Sequence, residues 1–240
     1  MRRALSLLVL LAACTSQPAP LKVAPEPAPV LPPTVERTLP PGPDLNPYVL
    51  EIMSTYPVDG SYGYFWPKEG GWEGTTQDVV YEGKKLTDGD PKNRSYCCGL
   101  TFEVYVRALL EASEGAAAGV SADTLHELRL RFFGDSKEGE RRRLCQFGLE
   151  SLRLGETVDD LEQARAGDFV QFWRHGGSGH SVIFVNWVRR KGEIRGITYW
   201  SSQTSTQGIG YQTETIGPDG IDRKQIYIAR ASWPLKEPAD

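Results

Sequence analysis

Two kinds of hydrophobic periodicity follow one another along the chain after residue 90. In the first part, apolar residues recur every three or four positions and predict helices at about 97–112, 121–133, 138–152 and 158–165. In the second, short runs rich in β-branched and aromatic residues predict strands at about 168–174, 181–189, 193–200, 209–215 and 224–230. Helices followed by a run of strands are typical of an α+β fold.

The first of these helices is predicted to lie at the centre of the fold. Its sequence, CCGLTFEVYVRALLEA, carries apolar side chains on most sides, among them Leu100, Phe102, Val104, Val106 and Leu109. A helix with one apolar stripe packs at the surface, whereas one that is apolar all round is buried. We therefore expect a central buried helix packed on an antiparallel sheet of about five strands.

The chain begins with a secretory signal. MRRALSLLVLLAAC has two arginines, an apolar run too short to span a bilayer, and then small residues. Its last four residues, LAAC, resemble the lipobox of bacterial lipoproteins, which implies a signal peptide at 1–13 and a lipid-modified Cys14. The alternative is a plain signal peptide in which the cysteine falls there by chance. The lipobox implies a lipid anchor in the cell envelope, and Thr15 favours the outer membrane, facing the periplasm.

A tether and one domain follow the lipid-modified cysteine. Eleven of the 33 residues 15–47 are proline and none is aromatic, so 14–47 is expected to be an extended spacer. At ~3.1 Å per residue its greatest reach is about 100 Å. All ten tyrosines, eight phenylalanines and six tryptophans lie in 48–240, which is long enough to bury a core as one domain.

Charge and cysteine content limit the chemistry. The net charge of −4 gives no reason to expect nucleic acid as a partner. With Cys14 lipidated, three cysteines remain, so at least one thiol has no disulfide partner within the chain. The sequence has neither a Cys-x-x-Cys nor a His-x-x-x-His spacing, so no metal is expected, and no other cofactor either.

The adjacent cysteines Cys97 and Cys98 stand where a loop becomes the central helix. Unpaired backbone N–H groups and the positive end of the helix dipole lower the pKa of a thiol there, which is how a cysteine nucleophile is activated. By contrast, Cys145, Leu149 and Leu152 follow an i, i+4, i+7 pattern. Cys145 is therefore expected to pack in the core.

Three histidines are candidates for the base that activates such a thiol. His126 lies on a predicted helix and is expected at the surface, and His175 lies in a glycine-rich turn. His180 begins a strong apolar strand, whose backbone would fix the imidazole as general-base chemistry requires. On the next strand, Gln203 is expected to orient that imidazole, with Ser201 as the alternative.

In their order along the chain, these motifs resemble those of the NlpC-type papain-like cell-wall cysteine peptidases. YCCGLTF resembles the family's Asp-Cys-Ser-Gly-Leu motif, AGDFVQFW its Gly-Asp turn, and GHSVIFV its histidine strand. The resemblance implies a papain-like catalytic domain at 48–240, with a helical insertion near 114–162, in which Cys97 is the nucleophile and His180 the base. CHAP-type amidases share this core. Tyr96 and Cys98 depart from the motif, and Cys98 is the alternative nucleophile.

The activity that the resemblance implies is hydrolysis of an amide bond in peptidoglycan stem peptides, through attack by the Cys97 thiolate and a thioester intermediate. A catalytically inactive envelope lipoprotein, which binds peptidoglycan or a protein partner through the same groove, is the alternative. Transglutaminase-type or toxin-type amidase chemistry is a third reading, although a transglutaminase prefers an aspartate and none follows His180 before Asp219. The aromatic segment at 62–72 either walls a substrate groove or covers the core.

Overall fold

The computed structural model describes residues 44–69, 71–114 and 119–233. Within these ranges the helices are Asn46–Ser54 (α1), Cys97–Ala112 (α2), Ala122–Phe133 (α3) and Cys145–Ser151 (α4). The strands are Val79–Tyr81 (β1), Lys84–Thr87 (β2), Gly155–Thr157 (β3), Phe169–Arg174 (β4), Gly179–Arg190 (β5), Glu193–Gln203 (β6), Gly208–Thr215 (β7) and Ile221–Ala231 (β8). The predicted α+β class is confirmed.

Six strands form one antiparallel sheet in the order β3-β8-β4-β5-β6-β7, while β1 and β2 form a separate hairpin. All five strands predicted from the sequence are present in this sheet, each with bounds a few residues from those expected. The expected number of strands is one too low, because β3 adds at the edge beside β8. An edge strand of three residues is too short to show an alternating pattern in the sequence.

The central helix occupies the expected place. α2 packs against α1, α3, β5 and β6, and its side chains Leu100, Phe102 and Val104 are fully buried. A second cluster of apolar side chains lies on the opposite face of the sheet, contributed mainly by β4, β5, β6 and β8. The sheet is therefore buried on both faces, and the face away from α2 is the one that carries Tyr199 and Phe172.

Two predicted helices differ from the structure. α4 begins at Cys145 rather than near 138, because Leu144 has a positive φ of 37°, which a right-handed helix does not contain. Among the described residues, the segment 158–165 forms only a short 3-10 turn at Leu161–Gln163. The Leu161 carbonyl accepts from Trp187 Nε1 and the Gln163 carbonyl from Arg230 Nη2. These carbonyl groups therefore accept hydrogen bonds from side chains of the sheet, where a longer helix would use backbone N–H groups of its next turn.

The ordered domain begins earlier than expected. α1 starts at Asn46, inside the predicted tether at 14–47, and Pro47 lies in its first turn, where a proline is tolerated. The remainder of that tether, the signal peptide at 1–13 and Cys14 lie outside the described residues. The region 114–162, expected to be helical, carries α3 and α4 and also the edge strand β3. No described helix combines the length and the apolar character that crossing a bilayer requires.

A glycine lets the aromatic segment approach the start of α2. A Cβ at Gly99 would lie 2.2 Å from the Glu73 carbonyl oxygen and 2.3 Å from that of Gly74, so only glycine permits this backbone contact. Within the aromatic segment, Tyr62 packs against the core, whereas Trp66 is 56% exposed.

Candidate active site

The first residue of the central helix is the candidate nucleophile. α2 begins at Cys97, and its N-cap residue, Tyr96, has an extended backbone. Among the described residues, no side chain caps this helix end. The backbone N–H groups of the first turn therefore keep the capacity to stabilise negative charge on a thiolate or an oxyanion.

The two adjacent thiols lie in different environments. Cys97 is half-buried, whereas Cys98 is buried. The adjacent Cys98 thiol, followed by His180 and the backbone of Ser181, outweighs burial and holds the pKa of Cys97 well below its usual value. The neighbouring Cys97 and burial raise the pKa of Cys98 well above its usual value. Of the two thiols, Cys97 is therefore the one whose pKa favours the thiolate.

His180 is fixed near the start of β5. Its ring contacts two aromatic rings on the face of the sheet away from α2: Phe172 on β4, with centroids 5.8 Å apart, and Tyr199 on β6, with centroids 5.5 Å apart. His180 Nε2 lies 3.3 Å from Gln203 Oε1 at the end of β6. The contact predicted between His180 and Gln203 is therefore present.

The amide of Gln203 is held in one orientation. Its Nε2 donates to Thr206 Oγ1 at 2.7 Å and to the Gly210 carbonyl at 3.4 Å. With the nitrogen bound there, Oε1 faces the ring and accepts a hydrogen bond from Nε2–H of His180. The other ring nitrogen, Nδ1, is then the one left for the thiol of Cys97.

Ser201, the alternative third residue, has a different partner. Its hydroxyl is buried and donates to the Ser181 carbonyl at 2.8 Å. It therefore supports the backbone of the strand that carries His180 rather than the imidazole. Of the two candidates, Gln203 is the one that contacts the ring.

A cleft of about 400 Å³ opens beside His180 and Gln203. Tyr64 forms part of its wall, and burial, followed by the nearby Cys97 and Cys98, raises the pKa of the Tyr64 hydroxyl. That hydroxyl stays protonated and can donate a hydrogen bond next to the nucleophile. No pattern in the sequence distinguishes Tyr64 for this role, because it is one of several aromatic residues in a loop.

The backbone contacts that bring Tyr64 to the cleft are long-range. Tyr64 pairs with Ser95 in a parallel bridge, and its N–H donates to the Gln207 carbonyl at 3.4 Å. On the other side, Gly208 lies so close that a Cβ there would be 1.9 Å from the Tyr62 carbonyl oxygen. The loop therefore lies between the start of α2 and the start of β7.

The other histidines and the third cysteine lie elsewhere. His126 is half-buried on α3, and His175 is exposed in the turn between β4 and β5. Cys145 is buried in the core, as its spacing predicted. Across residues 44–69, 71–114 and 119–233, no group of three or more histidine, cysteine or acidic residues is arranged to hold a metal ion.

Comparisons with family models, with curated proteins and with solved structures found no match to this chain.

Proposed function

We propose that the protein is a cysteine hydrolase that cleaves an amide bond in peptidoglycan stem peptides. The observation that carries this proposal is the juxtaposition of Cys97 at the start of α2 with the His180–Gln203 pair at the ends of β5 and β6. A thiolate, an imidazole and a residue that orients the imidazole are the parts that nucleophilic acyl transfer requires.

Each group has a role in the proposed reaction. The Cys97 thiolate attacks the amide carbonyl, and His180, protonated on both nitrogens, gives a proton to the leaving amine as the carbon–nitrogen bond breaks. The backbone N–H of Cys97 and the hydroxyl of Tyr64 are the donors proposed for the oxyanion. His180 then takes a proton from a water molecule, whose oxygen attacks the thioester carbonyl. The carbon–sulfur bond breaks, the acid product leaves, and the thiolate of Cys97 and the doubly protonated His180 are restored.

The choice of substrate rests on the resemblance to the NlpC-type peptidases and on the N-terminal sequence. The order of nucleophile, histidine and polar residue, on a helix followed by two adjacent strands, is consistent with a papain-like arrangement. A lipid-modified Cys14 and a proline-rich tether would keep such a domain in the envelope, within reach of the cell wall. We place the protein on the outer membrane, facing the periplasm.

Digestion of purified sacculi tests this proposal. A soluble form comprising residues 15–240 is incubated with sacculi under reducing conditions, and the products are identified by mass spectrometry. We expect new stem-peptide fragments from the wild type and from Cys98→Ala, and none from Cys97→Ala or His180→Ala. Those fragments also identify the bond that is cleaved.

The same experiment contains the outcome that would replace the proposal. If the wild type releases no fragments while all four proteins still bind sacculi, the protein is an envelope lipoprotein that binds peptidoglycan without cleaving it. If Cys97→Ala remains active and Cys98→Ala does not, the nucleophile is Cys98.

A further inference from the structure

The cleft beside His180 contains an ion pair that the proposed chemistry does not use. Arg174 at the end of β4 and Glu214 on β7 both line the cleft. Arg174 Nε lies 2.5 Å from Glu214 Oε1, and Arg174 Nη2 lies 2.8 Å from Glu214 Oε2. Because β5 and β6 separate β4 from β7 in the sheet, this contact crosses the face of the sheet that carries His180.

Both charged groups keep capacity for a ligand. Their side chains are 29% and 19% exposed, so each has an open side. Bonds from Arg174 to Glu214 and to Ser178 Oγ use three of the five N–H donors of a guanidinium. Glu214 accepts from Arg174 and from the Tyr199 hydroxyl at 3.2 Å, while a carboxylate has about four acceptor positions.

Apart from Arg174 and Glu214, the described residues that line the cleft include no acidic, lysine or arginine side chain. Its lining includes Gln203, Thr204, Ser205 and Gln212, and no aliphatic side chain belongs to it among the described residues. The charges of the Arg174–Glu214 pair sum to zero. A ligand with a single charge would bind one residue of the pair and draw it away from its partner, which would then lose its counter-charge. A ligand with both charges supplies a counter-charge to each residue.

We propose that Arg174 and Glu214 form a subsite for an amino-acid zwitterion, an ammonium and a carboxylate on the same carbon. Arg174 binds the carboxylate and Glu214 binds the ammonium. Because the pair lines the cleft beside His180, the inference rests on the proposed function and adds a ligand class for the same cleft.

A structural role alone would not require this chemistry. A partly exposed ion pair typically contributes no more than about 1 kcal/mol to stability, so joining β4 to β7 is a small gain from two charged side chains. A few charged or polar groups placed in a cleft fix the orientation of a bound ligand, and both of these side chains line this cleft.

Three small probes separate the two charges of the ligand. Glutamine carries both, Nα-acetylglutamine only the carboxylate, and glutamine amide only the ammonium. Binding is followed by ligand-observed NMR with the soluble form 15–240 carrying Cys97→Ala, so that binding is read without turnover. We expect glutamine to bind about tenfold or more tightly than either of the other two, because each lost charge removes one charge-assisted bond.

Single substitutions then test which residue binds which charge of glutamine. Glu214→Gln keeps an acceptor for Arg174, and we expect it to weaken glutamine to the level of Nα-acetylglutamine. Arg174→Gln should weaken glutamine to the level of glutamine amide. Glu162→Gln, which removes the exposed partner of Arg189 on β5, is the matched control and should leave all three affinities unchanged.

Equal affinity for the three probes, no binding of glutamine, or an equal loss of all three in both variants would each overturn the subsite. The proposed function fails separately. If sacculi are not cleaved but glutamine is still preferred and the variants behave as expected, the subsite is supported and the hydrolase is not. If sacculi are cleaved and the probes bind equally, the hydrolase stands without this subsite.

Discussion

At the scale of single residues, the adjacent thiols at the start of α2 divide two tasks between them. The pKa of Cys97 is lowered and favours the thiolate, and the neighbouring Cys98 thiol is the largest cause of that shift. In the motif that this segment resembles, serine stands at the second position, so Cys98 supplies a thiol donor where the family has a hydroxyl. The departure from the motif therefore preserves a donor next to the nucleophile.

Alkylation by iodoacetamide tests this division of tasks. Because the pKa of Cys97 lies well below its usual value of 9.0, its thiolate and its alkylation rate should persist as the pH falls below 9. In Cys98→Ala the main cause of the shift is lost, so the half-maximal rate should move to higher pH. Peptide mass spectrometry identifies the labelled residue at each pH.

Cys145→Ala is the control for this experiment, since Cys145 is buried and its thiolate is suppressed by burial, which raises its pKa to about 12. The control should leave the profile unchanged. A label on Cys98, or the same profile in the wild type and Cys98→Ala, would contradict the assignment.

Gln203 is proposed to act through His180, so its removal should affect the rate more than substrate binding. In Gln203→Ala the imidazole loses the acceptor that fixes its tautomer, and we expect kcat to fall about tenfold or more, part of the ~10²–10⁴-fold that a positioned acid–base group supplies. The pH dependence of kcat should shift as well. Steady-state kinetics on a stem-peptide substrate measure both.

Exposed Gln163 provides the matched control, and Gln163→Ala should have wild-type kinetics. An unchanged kcat in Gln203→Ala would remove Gln203 from the site.

At the scale of elements, the Gly-Asp turn before β4 has a structural role in this protein. Asp168 is fully buried and accepts from Asn46 Nδ2 at 2.7 Å, from the Arg165 backbone N–H at 2.7 Å and from Arg230 Nε at 3.0 Å. The carboxylate thus joins α1 and β8 to the start of β4. A motif that the resemblance associates with the family is explained here by folding rather than by catalysis.

Asp168→Ala should therefore lower the free energy of unfolding without touching the cleft. The Arg230 side chain is 12% exposed, and removing Asp168 leaves it only the exposed Glu156, 3.5 Å away, as an ion-pair partner. Loss of a buried partner typically costs about 3–5 kcal/mol. Urea denaturation followed by circular dichroism measures this loss. Glu162→Gln, which breaks an exposed pair with Arg189, should cost less than about 1 kcal/mol. Equal losses in the two variants would contradict the role of Asp168.

How far the sequence predicts this molecule depends on the length and range of each interaction. The long strands and α2 have patterns that local periodicity reveals, and His180 and Gln203 could be paired because β5 and β6 are consecutive and antiparallel. β1, β2 and β3 are too short to show a pattern. Local patterns do not predict the position of Tyr64 or the Arg174–Glu214 pair for another reason. Both depend on contacts between segments that are not neighbours in the sequence or in the sheet.

At the scale of the whole molecule, the proposed envelope location depends on one cysteine. If Cys14 carries a diacylglycerol, the protein should incorporate labelled palmitate and sediment with membranes, because two or three acyl chains give stable anchoring. Cys14→Ala should carry no label and leave the membrane fraction. Labelling that persists in Cys14→Ala would place the modification elsewhere, and a wild type without label would indicate a plain signal peptide.

The described part of the chain begins and ends in one place. Asp44 pairs with Ser232, and the Leu45 N–H donates to the Ala231 carbonyl at 3.1 Å. Arg174, which lines the cleft, lies at the opposite end of β4 from Phe169, which pairs with Ala229 near the end of β8. A domain whose first and last described residues lie side by side, away from a functional cleft, is suitable for grafting into a surface loop of a host protein. The domain could therefore be carried as a cassette with both junctions on one side and its cleft open to solution.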